Sequence, residues 1–229
     1  MADDIFKEVD EDLRAERFRA AGRRAGALGV IVVVLAAAGV GVWQFETYQG
    51  RQKAAATAAT FFAAGKLADS GAHPGGGPNP SSKQAASLFA EVASRRPEGF
   101  RTLARFRLAQ IAWEGGQTVQ ALAYWNAIDE DASADPTLRG LASLLWVQHQ
   151  VADGDAALLE SRLGALSRPG GPWRPLAQEL DAELDLRLGH VAEARRKLAA
   201  LSTDGSAPEG LRNRASGLEE TLGTAKTGG

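Results

Sequence analysis

Apolar and polar positions divide the chain into three regimes. In the first 24 residues acids and bases alternate, and Ile5, Val9 and Leu13 fall at i, i+4 and i+8, with acid-to-base pairs Asp3/Lys7 and Asp10/Arg14. That spacing predicts a short charged helix over 3–20 with one narrow apolar stripe, which either lies solvated beside a membrane or docks a partner through Ile5, Phe6, Val9 and Leu13. From Ala25 to Phe45 no charge occurs across 21 residues. Beyond Glu46 the two kinds of position mix with a helical period as far as the C-terminal region.

The uncharged run has the length of a membrane span, because 21 helical residues extend roughly 31 Å at about 1.5 Å each. Ten strongly apolar residues, from Leu28 to Phe45, contribute roughly −3 to −6 kcal/mol to insertion. A cleaved signal peptide is the competing reading, with Ala36, Ala37 and Ala38 as small residues near the end of the run. Such a peptide has a short basic start, whereas seven acids lie among the 24 residues before this run, and Trp43 and Tyr48 sit where interfacial aromatics belong. A retained anchor is the expectation. Six Lys or Arg precede the span (Lys7, Arg14, Arg17, Arg19, Arg23, Arg24) and two follow it closely (Arg51, Lys53), which places the N-terminus in the cytoplasm. The expected organisation is a cytoplasmic tail over 1–24, a transmembrane helix over 25–45 and an exported domain over 46–229.

Composition then fixes the class of that domain. The chain holds 44 Ala but only 16 Val plus Ile, seven of them between Val30 and Val42, so strand formers are scarce outside the span and an all-α protein is predicted. Residues 51–69 read as an Ala-rich helix with Phe61, Phe62 and Leu67. The Pro- and Gly-rich stretch after it predicts a flexible insert over 70–81; its triple glycine lacks the Lys-Ser/Thr and the preceding strand of a phosphate loop.

From residue 82 the chain repeats. Gly116, Gly154 and Gly189 recur at intervals of 38 and 35 residues. Seven positions before them stand Ala109, Val147 and Ala182; five after, Ala121, Leu159 and Ala194; nine after, Trp125, Leu163 and Leu198. Ala85, Phe89, Val92 and Pro97 form a partial further copy, and Pro136, Pro169 and Pro208 lie near unit boundaries. The intervening helices carry apolar stripes such as Phe100, Leu103, Ala104, Leu108, Ile111 and Leu138, Leu141, Ala142, Leu145. Each such unit buries only one face, so the units stack, and stacking leaves a concave side.

This pattern resembles the tetratricopeptide repeat: a small residue in the first helix, Gly at the turn, Ala and a large apolar residue in the second, Pro near the exit. Val147, Leu159 and the long insert depart from it. The whole architecture, with the tail Asp4-Ile5-Phe6-Lys7-Glu8-Val9-Asp10-Glu11-Asp12-Leu13, one span and tetratricopeptide-like helices, looks like the YfgM-like family of ancillary subunits of the Sec translocon. The resemblance implies a bacterial inner-membrane protein whose periplasmic repeats assist secreted proteins beside the SecYEG channel and a membrane-bound periplasmic chaperone. An envelope-assembly scaffold serving outer-membrane or cell-wall machinery is the alternative of similar shape.

Candidate chemistry is sparse. A net charge of −2 and a pI near 6.0 argue against nucleic-acid binding, and the absence of Cys excludes thiolate chemistry. His73, His149 and His190 show no metal-ligand spacing, no nucleophile elbow occurs, and neither the acidic loop Asp129, Glu130, Asp131, Asp135 nor the pair Asp153, Asp155 has the EF-hand spacing. No cofactor and no enzymatic activity are expected. Arg195, Arg196 and Lys197 read as a solvated face or a patch for an acidic partner. Trp113, Trp125, Trp146 and Trp173 serve as core or as groove aromatics. In the repeat register the concave, protein-binding face is predicted to include Phe106, Gln110, Trp113, Leu144, Gln148, Glu179 and Glu183.

Overall fold

A computed structural model describes residues 47–70, 80–95 and 98–224. The expected tail helix over 3–20, the span over 25–45 and most of the insert over 70–81 lie outside the described residues. The chain divides into two compact units, 1–55 and 56–229. Of the first, the described residues 47–55 are helical. No described helix is long and apolar enough to cross a membrane.

The second unit is all-α, with no strand among its described residues. Its helices are α1 (residues 56–70 of this unit), α2 (Pro80–Ala93), α3 (Glu98–Glu114), α4 (Thr118–Asp129), α5 (Pro136–Gln148), α6 (Ala156–Leu166), α7 (Arg174–Arg187), α8 (Val191–Ser202) and α9 (Glu209–Thr224). Helix α2 starts at Pro80, so the insert is shorter than 70–81. Proline at the first helical position costs nothing, because the N–H it lacks has no intrahelical partner there.

Boundaries follow from local chemistry. Asp135 accepts hydrogen bonds from the N–H groups of Thr137 (2.7 Å) and Leu138 (3.4 Å), and Pro136 opens α5 behind it. Asp155 caps α6 by accepting from Leu158 N–H at 2.8 Å. Gly116 and Gly189 end α3 and α7 at φ of 72° and 80°, a left-handed conformation that costs glycine little. After each the chain closes back five residues, Gln117 N–H onto Ala112 O and His190 N–H onto Asp185 O, both at 2.8 Å. Gly154 lies outside that left-handed set. Its backbone is pressed against Gln150, whose carbonyl O would stand 2.8 Å from any added Cβ.

Packing is local along the chain. Each helix from α2 to α9 packs chiefly on its sequence neighbours, with closer second-neighbour approaches of α5 to α7 and α7 to α9. The buried apolar residues fall into four clusters, each drawn from three successive helices. Ala64, Phe89 and Leu108 join α1 to α3; Ala109, Trp125 and Ala142 join α3 to α5. Leu144, Leu163 and Leu184 join α5 to α7; Ala182, Leu198 and Leu211 join α7 to α9. All nine register positions read from the glycine spacing are buried: Ala109, Val147, Ala182, Ala121, Leu159, Ala194, Trp125, Leu163 and Leu198. Small residues there bring helices close, and each fully buried Leu contributes about 1.5–3 kcal/mol.

The acids of the inter-helix loops are structural. Asp131 accepts from Ser133 and pairs with Arg105 (2.8 Å) and Arg101 (3.2 Å) of α3. Asp129 pairs with Arg162 of α6 at 3.2 Å, and that guanidinium also donates to Asn126 and lies 4.2 Å over the Trp146 ring. Of the basic triplet, Lys197 sits between Asp181 (2.6 Å) and Asp185 (2.7 Å) of α7, and Arg196 pairs with Glu193 on its own helix. Trp173 lies on α5 over Gly140, where an added Cβ would stand 2.7 Å from the indole, and donates its N–H to Thr137 O at 2.9 Å.

Candidate functional site

The repeat pattern gives α3 and α5 equivalent places in successive helix pairs, but between them runs a groove of about 670 Å³ instead of the direct approach seen between α5 and α7. One face of α3 supplies Leu103, Phe106, Gln110 and Trp113, spaced i, i+3, i+7, i+10, with Arg107 and Glu114 at its margin. One face of α5 supplies Leu138, Leu141, Leu145 and His149, spaced i, i+3, i+7, i+11. Trp125 of α4 and Phe61 of α1 complete the lining.

Aromatic rings hold the floor open. Trp113 and Trp125 stand 6.2 Å apart, and the His149 imidazole lies against both, 3.9 Å from the Trp113 ring and stacked 4.7 Å from Trp125 at an interplanar angle of 8°. Three rings occupy more width than the Ala and Leu side chains elsewhere in the stack, which keeps the α3 and α5 backbones apart at this point. Phe61 packs at the other side on Phe89 (5.4 Å) and Phe100 (5.6 Å).

The two charged residues of the lining, of opposite sign, lie on α3 and are bridged by a neutral amide. Arg107 donates to Gln110 Oε1 (3.2 Å), and Gln110 Nε2 donates in turn to Glu114 Oε1 (2.9 Å), a chain of opposite ends along the margin of α3. Burial lowers the His149 pKa, which favours the neutral ring. The surface offered is therefore apolar and aromatic, with the Gln110 amide as the polar group nearest the centre of the margin.

The residues expected to form a concave face are distributed unevenly. Phe106, Gln110 and Trp113 line the groove together. Leu144 is buried in the core between α5, α6 and α7, and Gln148 is exposed outside the lining. The lining of α5 is one residue off, at Leu141, Leu145 and His149, because one position rotates a helix by 100°. Glu179 and Glu183 lie on α7, away from this groove. Both Glu179 oxygens accept from Arg214 of α9 at 2.9 Å, and Glu183, half-buried beside them, has its pKa raised by burial and by the Glu179 charge, against the pull of Arg214. Nine lining residues fall outside the predicted concave face, among them Phe61, the α5 stripe Leu138, Leu141 and Leu145, and the ring residues His149 and Trp125. For His149 the signal was present, as the fourth member of the Leu138, Leu141, Leu145 stripe.

Among the described residues no group of three His, Asp or Glu is placed to hold a metal ion. No protein-family model matches the chain, and neither a curated protein nor a solved structure matches it.

Proposed function

We propose that this chain is a membrane-anchored, non-enzymatic scaffold whose exported helix pairs, read as tetratricopeptide-like repeats, hold polypeptide segments for proteins in export. The anchor is the uncharged run Ala25–Phe45 and the N-terminus is cytoplasmic, on the six-to-two Lys/Arg asymmetry. The repeat reading is supported by the burial of all nine register positions and by cores that pass from one helix triplet to the next. The YfgM-like architecture supports a translocon setting, with SecYEG and a membrane-bound periplasmic chaperone as neighbours.

The observation that carries the binding function is the aromatic groove between α3 and α5. An occupant gains about 1.5–3 kcal/mol for each Leu or Phe side chain it seats there. It is an apolar stretch of polypeptide, since eight of the twelve lining residues are Leu, Phe or Trp and the two charged ones, Arg107 and Glu114, are of opposite sign. A photo-crosslinker at Gln110 is expected to trap protein partners, one at Gln148 fewer, and one at Arg196 fewest. Equal trapping at all three rejects the groove. Recovery of translocon components supports the export setting, and recovery of outer-membrane or cell-wall assembly factors in their place favours the envelope-assembly scaffold. Topology is tested separately in this Cys-free chain with single cysteines at Asp4 and Ser206. In intact cells an impermeant maleimide that crosses the outer membrane is expected to label the second only; the reverse pattern rejects the orientation.

A further inference from the structure

His149 closes α5, its main-chain N–H donating to Leu145 O at 3.1 Å, and its ring forms part of the groove floor between Trp113 and Trp125. Among the described residues the imidazole lies against these two indoles. We propose that His149 makes the groove's hold on an apolar polypeptide segment pH-sensitive, firm while the imidazole is neutral and weak once it is protonated. This rests on the groove being the binding surface.

The argument is one of differential burial. The faces of Trp113 and Trp125 and the negative end of α5 favour an imidazolium, and they are present whether the groove is empty or filled. An occupant adds only the loss of solvent around the ring, which disfavours the charged form alone. Protonation is therefore harder in the complex than in the free chain, and by linkage an acidic medium weakens binding. The neighbouring charges are of opposite sign and are present whether the groove is empty or filled. Arg107 and Glu114, both on α3, are the charged groups lining the groove, and they are tied to each other through Gln110; α1, α4 and α5 add no other charge to the lining. Of the turn that follows His149, Asp155 caps α6 and Asp153 is exposed, while Arg187 of α7 is held on Gly154 O at 2.8 Å.

The test uses the full chain in lipid nanodiscs and a rhodamine-labelled, N-acetylated, C-amidated peptide of Leu, Phe, Ser and Gln, which has no group titrating between pH 5 and 7.5. Fluorescence anisotropy is expected to show affinity falling about threefold or more from pH 7.5 to pH 5 in the natural chain, and staying flat in His149→Gln and His149→Phe. Either variant suffices if the other fails to fold. A flat natural profile, or an unchanged fall in both folded variants, overturns the switch while leaving the groove reading intact. Absence of peptide binding at pH 7.5 rejects the groove reading and the switch with it.

Discussion

The α3–α5 region and the α7–α9 region are built from the same succession of helix pairs, yet one presents a groove and the other a bridged surface. Between α3 and α5, Trp113, Trp125 and His149 stack across the interval and the helix faces that line it are apolar. Between α7 and α9, Arg214 reaches across to both oxygens of Glu179, and the two helices approach closely. The buried layers beneath are alike: Ala121 and Trp125 of α4 correspond to Ala194 and Leu198 of α8, and all four are buried. The buried layer is common to both regions, and a few side chains on the first helix of each pair distinguish the open groove from the bridged surface.

The shared layer is broken first, with the largest effect. Ala121→Asp and Ala194→Asp each place a carboxylate where the exposure is 0 %. Each is expected to cost about 3–5 kcal/mol, as an unpaired buried charge does. Thermal melts of the full chain followed at 222 nm read the loss. A variant that melts with the natural chain shows that its region does not rest on the common layer.

That layer was legible because its signal is periodic. Small and large apolar residues recur at fixed distances from three glycines, and burial follows from spacing alone. The faces above the layer were legible only in part. Phe106, Gln110 and Trp113 share a stripe on α3 and meet at the groove. On α5, Leu144 and Gln148 fit the counted period but sit one position from the true lining, a difference that apolar counting does not resolve when Leu141, Leu144 and Leu145 are all leucine. Glu179 and Glu183 were placed on the concave face by the repeat register, which does not reveal their link to Arg214, 35 residues beyond Glu179. The same letter also carried different physics: Gly116 and Gly189 are needed for positive φ, Gly154 for its contact with Gln150.

Trp113→Ala sharpens the difference on the groove side. If the proposed function holds, removing one of the rings that line the groove is expected to weaken peptide binding by about 2 kcal/mol, roughly 30-fold, as loss of an aromatic anchor does. Trp113 is only partly buried, so the variant is expected to stay folded at 25 °C, which the melt checks. Unchanged affinity in a folded variant would make the aromatic interval a structural spacer and remove the functional contrast between the two regions.

On the bridged side the matching change is Arg214→Ala. It leaves Glu179, 9 % exposed, without the guanidinium that both its oxygens accept from. Because the Arg214 side chain is itself 58 % exposed, water replaces part of what is lost, and the expected cost is about 1–2 kcal/mol. Peptide affinity at the α3–α5 groove is expected to remain unchanged, since the α7–α9 bridge contributes nothing to its lining. A parallel fall in affinity would mean that the two regions are mechanically coupled.

The smallest effect tests whether the groove region, too, depends on charge. At the end of α3 away from Trp113, Asp131 accepts from Ser133 and pairs with Arg105 and Arg101, which ties the loop after α4 back to α3. These hydrogen bonds, the Ser133 hydroxyl first, outweigh burial and hold its carboxyl at about 2, against an ordinary 3.8. A depressed folded-state value means the stabilisation is complete above the unfolded value and is lost as the pH falls from about 4 through 2. Asp131→Asn is therefore expected to lower Tm by a few degrees at pH 6, about 1 kcal/mol for a side chain near the surface, and by less at pH 2.5. If the gap between the natural chain and the variant stays constant across that range, the loop is held by Ser133 and its packing alone. The α3–α5 region would then draw nothing from the Asp131 charge, and the contrast with the salt-bridged α7–α9 region would be sharper still.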